Sequence, residues 1–393
     1  MRFGWIRLHF LLLYAVVGAY MPYLPVFLGS DLGLPDRQIG WVTGIYGLSV
    51  LIAPPILTSL ADRRLSGRTI IACAYVLACL GLLALALVDT FLAVLPLAFV
   101  FSLVYTPLFA LLDGLTFSAI AASERPPPYD RLRVWGSVGF MVPAFVLFFA
   151  LHAGVAGRTA IVAAAVAAGL GALASPLLPD FPPAARASEL PRFAAWQALR
   201  GASTRALLIP TGLLFAAISV FYAFYGRLLV SVGVDPAWVG LVMNIGVLAE
   251  LPLLFAAGAL LRRCSVRAIL LTAAACLVAR MALLASADPL VAVATQVLHG
   301  PIVLGLYLLP PMILNLKAEP RLRNAVQGLY AMLCFGLARL VGSVLGGYAA
   351  EIALQWAFVL GAALSLVAFV WLLVAFHDPD VDIALRKRSP AQT

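Results

Sequence analysis

Thr90–Asp113 reads TFLAVLPLAFVFSLVYTPLFALLD. Its first 23 residues carry no charge, and about 20 apolar residues in a helix cross the hydrocarbon core of a bilayer. Asp113 then stands at the inner end of the run, where an ionised carboxylate costs roughly 2.5–3.5 kcal/mol on insertion scales. A charge placed at that cost is a candidate for function. Working outward, the same reading picks out Arg133, Glu250, Arg280, His299 and Arg339, each in or at the edge of an apolar run of spanning length.

Such runs fill the chain. Of 393 residues, 64% are hydrophobic and 11% charged, which places the protein outside the soluble globular range. The pattern predicts an all-α membrane protein with twelve spans, at 6–29, 39–61, 69–88, 91–120, 132–154, 158–179, 206–230, 237–261, 267–286, 289–316, 324–348 and 352–377. The net charge of +9 is not a nucleic-acid signal, because its distribution follows the loops. With both termini inside, alternate loops and the termini hold 21 of 26 Lys and Arg residues. Arg37, Arg158 and Arg227 are left outside, and Arg280 and Arg339 lie in mid-helix. This positive-inside bias predicts cytoplasmic termini. Leu8–Leu28 is too long for a signal-peptide core and reads as the first span. Cys73, Cys79, Cys264, Cys276 and Cys334 lack metal or redox spacing, so neither a disulfide nor a metal is expected, and no cofactor.

The chain also repeats itself. Leu32-Gly33-Leu34-Pro35-Asp36 and Ile39-Gly40-Trp41 correspond to Val232-Gly233-Val234-Asp235-Pro236 and Val239-Gly240-Leu241. Leu60-Ala61-Asp62-Arg63 answers to Leu260-Leu261-Arg262-Arg263, and Arg131-Leu132-Arg133 to Arg321-Leu322-Arg323. The expected organisation is a six-helix bundle over 1–179, a cytoplasmic linker over 180–205, a second bundle over 206–379 and a cytoplasmic tail over 380–393. An even number of spans per half makes the halves parallel repeats.

Two parallel six-helix bundles resemble the major facilitator superfamily. The loop Leu60-Ala61-Asp62-Arg63-Arg64-Leu65-Ser66-Gly67-Arg68 resembles its G-x-x-x-D-R-x-G-R signature, with Thr58 in place of the opening glycine and one extra residue before Gly67. Gly18–Pro25, Pro107–Asp113 and Tyr129–Phe140 are similar to the branch of phenylpropionate transporters and nucleoside:proton symporters. The lactose permease is more distant.

The resemblance implies a site in which charges from both halves serve one substrate. The acid and arginine of helices 4 and 5 map onto Asp113 and Arg133, and the acid, arginine and histidine of helices 8, 9 and 10 onto Glu250, Arg280 and His299. The scheme's second acid, three residues after the histidine, is Ile302 here, so coupling falls to Glu250 or Asp113, with His299 as a further candidate, or is absent. Arg133, Arg280, Asp113, Tyr23, Trp135 and Tyr222 are the candidate substrate residues. Asp62, Arg63 and Arg68 are read as a gate at the cytoplasmic end of helix 2. Each has a plainer reading: static ion pairs for Asp113, Glu250 and Arg280, a carbonyl freed by Pro301 for His299, and packing for the aromatics.

The function implied is alternating-access symport of protons with a small organic solute, an aromatic acid or nucleoside-like compound first and a sugar second. Proton-driven efflux of drugs or metabolites and a transport-inactive sensor are the alternatives. The chain offers no nucleophile–base pair and no P-loop, which speaks against an enzyme and against ATP as energy source. Expected partners are a small-molecule substrate, protons and membrane lipid, without nucleic acid. A monomer in the bacterial inner membrane is expected.

Overall fold

A computed structural model describes residues 3–63, 66–154, 157–181, 200–319, 322–378, 381 and 383, with the side chains of 54–63 and 324 left out. Eleven helices among the described residues are long and apolar enough to cross a membrane. They are α1 (Phe3–Asp31), α3 (Gly67–Ala86), α4 (Phe91–Ala121), α5 (Tyr129–His152), α6 (Thr159–Leu177), α7 (Ala202–Ser231), α8 (Pro236–Arg263), α9 (Val266–Leu284), α10 (Pro289–Lys317), α11 (Ala325–Ile352) and α12 (Leu354–Ala375). The helix Asp36–Arg63, here α2, is the twelfth. Most of its side chains near Asp62 and Arg63 lie outside the described residues, as do most of the linker and the tail. The protein is an all-α, twelve-helix membrane protein. Leu92, Phe255 and Val374 are more than 80% exposed, which suits a surface that meets lipid rather than water.

Prolines set the irregularities. In α1 regular helix stops at Tyr20 and resumes at Leu24, around Pro22 and Pro25. In α4 it breaks between Tyr105 and Pro107. A proline lacks the N–H that would close the ladder, and its ring clashes with the carbonyl four residues back. The longest disturbance is in α10, which passes from a tight turn at Thr295–Leu298 to a wide π turn at Leu304–Leu308. Single π turns inside helices concentrate at working parts of proteins.

Contacts divide the chain into two units, Met1–Ser188 with Leu229–Leu241, and Glu189–Leu228 with Val242–Thr393. Equivalent devices recur in the two halves of the sequence. Gly33 and Gly233 both have positive φ, at 64° and 90°, where a side chain would be strained. Ser66 accepts a hydrogen bond from Thr69 N at 3.3 Å to start α3, and Ser265 accepts from Ala268 N at 3.1 Å to start α9. Two residues further on, Arg68 pairs with Asp180 beyond the end of α6, and Arg267 donates to the Leu373 carbonyl in the last turn of α12. A Cβ on Gly139 would lie 2.1 Å from the Leu11 carbonyl oxygen, and one on Gly342 equally close to that of Ala216. Glycine therefore lets α5 touch α1, and α11 touch α7, backbone to backbone.

The second unit has one further fastening. Asp378, just past α12, accepts from Ser203 Oγ at 2.6 Å at the start of α7 and pairs with Lys317 at the end of α10. Burial alone would raise this carboxyl's pKa, but the Lys317 and Ser203 hydrogen bonds outweigh it and hold the group below its ordinary range. A depressed carboxylate contributes stability that is present above its unfolded value, about 3.9, and disappears as the pH falls through the folded one. Asp378→Asn is expected to cost about 1–2 kcal/mol at neutral pH. In thermal unfolding in detergent, the gap from wild type should narrow as the pH falls below the unfolded value of about 3.9.

Candidate functional site

In the first unit, Asp113 on α4 accepts a hydrogen bond from Tyr129 Oη at 2.7 Å. Tyr129 opens α5, and its ring is held by stacking on Phe117 at 4.8 Å and edge-on by Phe10 at 6.3 Å. Arg133, one turn further along α5, donates to Tyr14 Oη and lays its guanidinium over that ring at 4.2 Å. Gly136 makes the fit possible, since a Cβ there would lie 2.6 Å from an Arg133 nitrogen and 2.8 Å from the Tyr14 ring. Asp113 and Arg133 act on each other electrostatically while each is held by a tyrosine. An anion, a cation and two phenols are thus gathered on α1, α4 and α5.

The second unit holds the other cluster. Arg280 on α9 has no solvent exposure. Its Nη1 reaches His299 Nδ1 at 2.8 Å, its Nη2 donates to Gln296 Oε1 at 2.7 Å, and its face lies 3.8 Å from the Phe221 ring centroid. Arginine has only donors and keeps its proton, so His299 Nδ1 accepts and the ring hydrogen sits on Nε2. That nitrogen points to Glu250 Oε2 on α8, 3.9 Å away. The result is a row across three helices: guanidinium, neutral imidazole, carboxylate. Tyr222 stands edge-on to His299 at 6.4 Å. Beyond it, Phe215, Tyr307 and Phe335 pack ring against ring at 4.6–5.7 Å.

The structure thus brings Asp113 next to Arg133, and Glu250, Arg280, His299 and Tyr222 into one group. Other candidates lie elsewhere. Tyr23 sits at the break in α1, where its hydroxyl accepts from Gly240 N at 3.2 Å. Trp135 is 38% exposed, on a different side of α5 from Arg133, whose guanidinium is turned to Tyr14. Arg68 is bound to Asp180 at 2.7 Å. The Asp62 and Arg63 side chains lie outside the described residues.

Sequence reasoning missed Tyr14, Tyr129, Phe221 and Gln296. Two of these carried a readable signal, because Tyr129 precedes Arg133 by four residues and Gln296 precedes His299 by three, the spacings that share a helix face.

Paired charges and stacked rings inside helices that cross a bilayer mark a working site within the membrane. Residues 3–360 match the MFS_1 like family, and the chain belongs to it. It is 27% identical over 346 residues to the maltose permease of Geobacillus stearothermophilus, covering 88% of this chain and 86% of that protein. It is 29% identical over 307 residues to an Escherichia coli protein named "Probable 3-phenylpropionic acid transporter", covering 75% and 77%. The crystal structure of the nucleoside transporter NupG superposes with a TM-score of 0.82 at 17% identity, over 99% of this chain and all of that one. The protein is a secondary transporter of small organic solutes in the major facilitator superfamily, a multi-pass membrane protein and not an enzyme.

Tyr129→Phe removes the donor that fixes Asp113 and is expected to raise the half-saturating solute concentration about tenfold. Trp135→Phe, at an exposed position, should leave it within about twofold. Uptake assays on the two variants side by side check both.

Proposed function

We propose that the protein couples uptake of an aromatic acid or nucleoside-like solute to protons by alternating access, with Glu250 as the proton carrier. The observation that carries this reading is the row Arg280–His299–Glu250. With Glu250 ionised, its charge and that of Arg280 balance through a neutral histidine. Protonation of Glu250 leaves the guanidinium uncompensated in a medium where that costs several kcal/mol. An anionic or strongly accepting group on the solute then restores the balance. The proton thereby prepares the site for the solute, and release of the solute favours release of the proton.

The aromatic rings at Tyr222, Tyr307 and Phe335 suit stacking on a ring-bearing solute. Asp113 and Arg133 offer an acceptor and a donor for its hydroxyl or carboxylate groups. The relative named for 3-phenylpropionic acid supports the aromatic-acid class, and the relative named for maltose keeps a sugar as the next choice. In this reading the chain works as a monomer in a bacterial inner membrane, in contact with lipid. Its bundles are 1–179 and 206–379, its linker 180–205, and its termini face the cytoplasm. Asp62, Arg63 and Arg68 are the gate at that face.

Glu250→Gln is expected to abolish uphill accumulation driven by an imposed pH gradient while leaving exchange of preloaded solute intact. Liposomes containing the purified variant, tested with 3-phenylpropionate and uridine, check this. Accumulation at the wild-type level in that variant excludes Glu250 as the carrier.

A further inference from the structure

The Arg280–His299–Glu250 row has a member that the proposed mechanism does not use. Gln296 is 2% exposed, and its oxygen accepts from Arg280 Nη2 at 2.7 Å while Nη1 of the same guanidinium holds His299 Nδ1 at 2.8 Å. Gln296 and His299 are three residues apart on α10, so Arg280 grips one face of that helix at two points. Its third nitrogen, Nε, has no hydrogen-bond partner among the described residues. Phe221 closes one face of the guanidinium at 3.8 Å. Two oriented bonds and one ring therefore fix the direction in which Arg280 presents its donors.

The carboxamide itself has a defined sense. Its oxygen must face Arg280, since two donors cannot bond each other. The amide nitrogen is turned toward Tyr225, whose hydroxyl already donates to the Ala292 carbonyl at 2.9 Å. On the opposite side α8 passes at Gly246, where a Cβ would stand 2.6 Å from Gln296 Oε1 and 3.3 Å from the His299 ring. A glycine at this one position leaves the room the carboxamide occupies.

Without the second grip, Arg280 could turn about its long side chain and release His299 Nδ1. The imidazole would then be free to carry its hydrogen on Nδ1 and to present a lone pair, not a donor, to Glu250. We propose that Gln296 is a positioning residue for proton coupling, which holds Arg280 so that His299 keeps its hydrogen on Nε2, toward Glu250. It touches neither the proton nor the solute. It acts through the guanidinium. The proposal deepens the coupling role of Glu250 and rests on it for its transport consequence, while the histidine tautomer is an independent property of the folded protein.

The test uses full-length protein labelled with ¹⁵N-histidine in lipid nanodiscs, with the His299 ring signals assigned by His299→Asn. In the wild type these should show an unprotonated Nδ1 and a protonated Nε2. Gln296→Met, which keeps volume but loses the acceptor, should give a mixture of both tautomers. Gln296→Glu, which keeps an acceptor oxygen, should retain the wild-type pattern. In liposomes with 3-phenylpropionate and uridine, Gln296→Met should lower pH-driven accumulation about tenfold, and several-fold more than it lowers exchange. Should Gln296→Met not fold, Gly246→Ala, which crowds the same carboxamide, should give the same mixture.

An Nδ1–H tautomer in the wild type, or an unaltered tautomer in the variant that folds, overturns the proposal. Parallel loss of exchange and accumulation also overturns it, because that is what a merely structural role would produce. A wild type that exchanges but never accumulates, with the tautomers behaving as stated, overturns the proton-coupling reading and the transport consequence, and leaves the positioning of His299 supported.

Discussion

A positive charge with no access to water must be matched by donors, acceptors and counter-charges fixed in the protein, and among the described residues Arg280 is where this constraint is most severe. Its guanidinium is fully buried, and what surrounds it follows from that fact. His299 and Gln296 accept its hydrogen bonds, Phe221 covers its face, and the Glu250 carboxylate stands 3.9 Å beyond the imidazole. Breaking such an arrangement by removing one member strands the others, which costs more than the arrangement itself contributes. A group whose charge state decides whether its neighbours are satisfied is also a group that can sense binding. The same physics that makes the cluster expensive makes it useful.

The first unit solves a similar problem differently. Asp113 and Arg133 are each held by a tyrosine, so two charges of opposite sign are kept separately ordered on adjoining helices. The two units share their framework, with matching serine caps, matching arginine fastenings and matching glycine contacts. They differ in the ionisable groups set into it. That division suits a carrier built by duplication, where packing is kept and chemistry diverges. The turns of α10 at Thr295–Leu298 and Leu304–Leu308 flank the segment that bears His299. Gln296 lies inside the first of them. Helices deform most readily where their winding changes, so Gln296 and His299 sit on a deformable stretch of α10.

The helices were legible because a bilayer demands about 20 apolar residues each time the chain crosses it. The boundaries read from composition agree closely for α4, predicted at 91–120 and observed at Phe91–Ala121. They miss where amphipathic turns extend a helix beyond the apolar run, as at the start of α7, predicted at 206 and observed at Ala202. Asp113, Glu250, Arg280 and His299 were legible because charge in an apolar run is rare. Tyr129 and Gln296 were not, because a tyrosine at a helix start and a neutral amide in a span are ordinary until a charged neighbour is seen to need them. Trp135, two residues from Arg133 and 38% exposed, lies on another face of a helix with 3.6 residues per turn.

The central claim is that solute and proton travel together through the Glu250 cluster, and proton movement itself tests it most directly. Liposomes containing the wild-type protein and a pH-sensitive dye, with no imposed gradient, would be given 3-phenylpropionate or uridine from outside. The account predicts that solute entry makes the lumen acidic, with Glu250→Gln liposomes exchanging preloaded solute and showing no pH change. Solute entry through the wild-type protein without any acidification would contradict it.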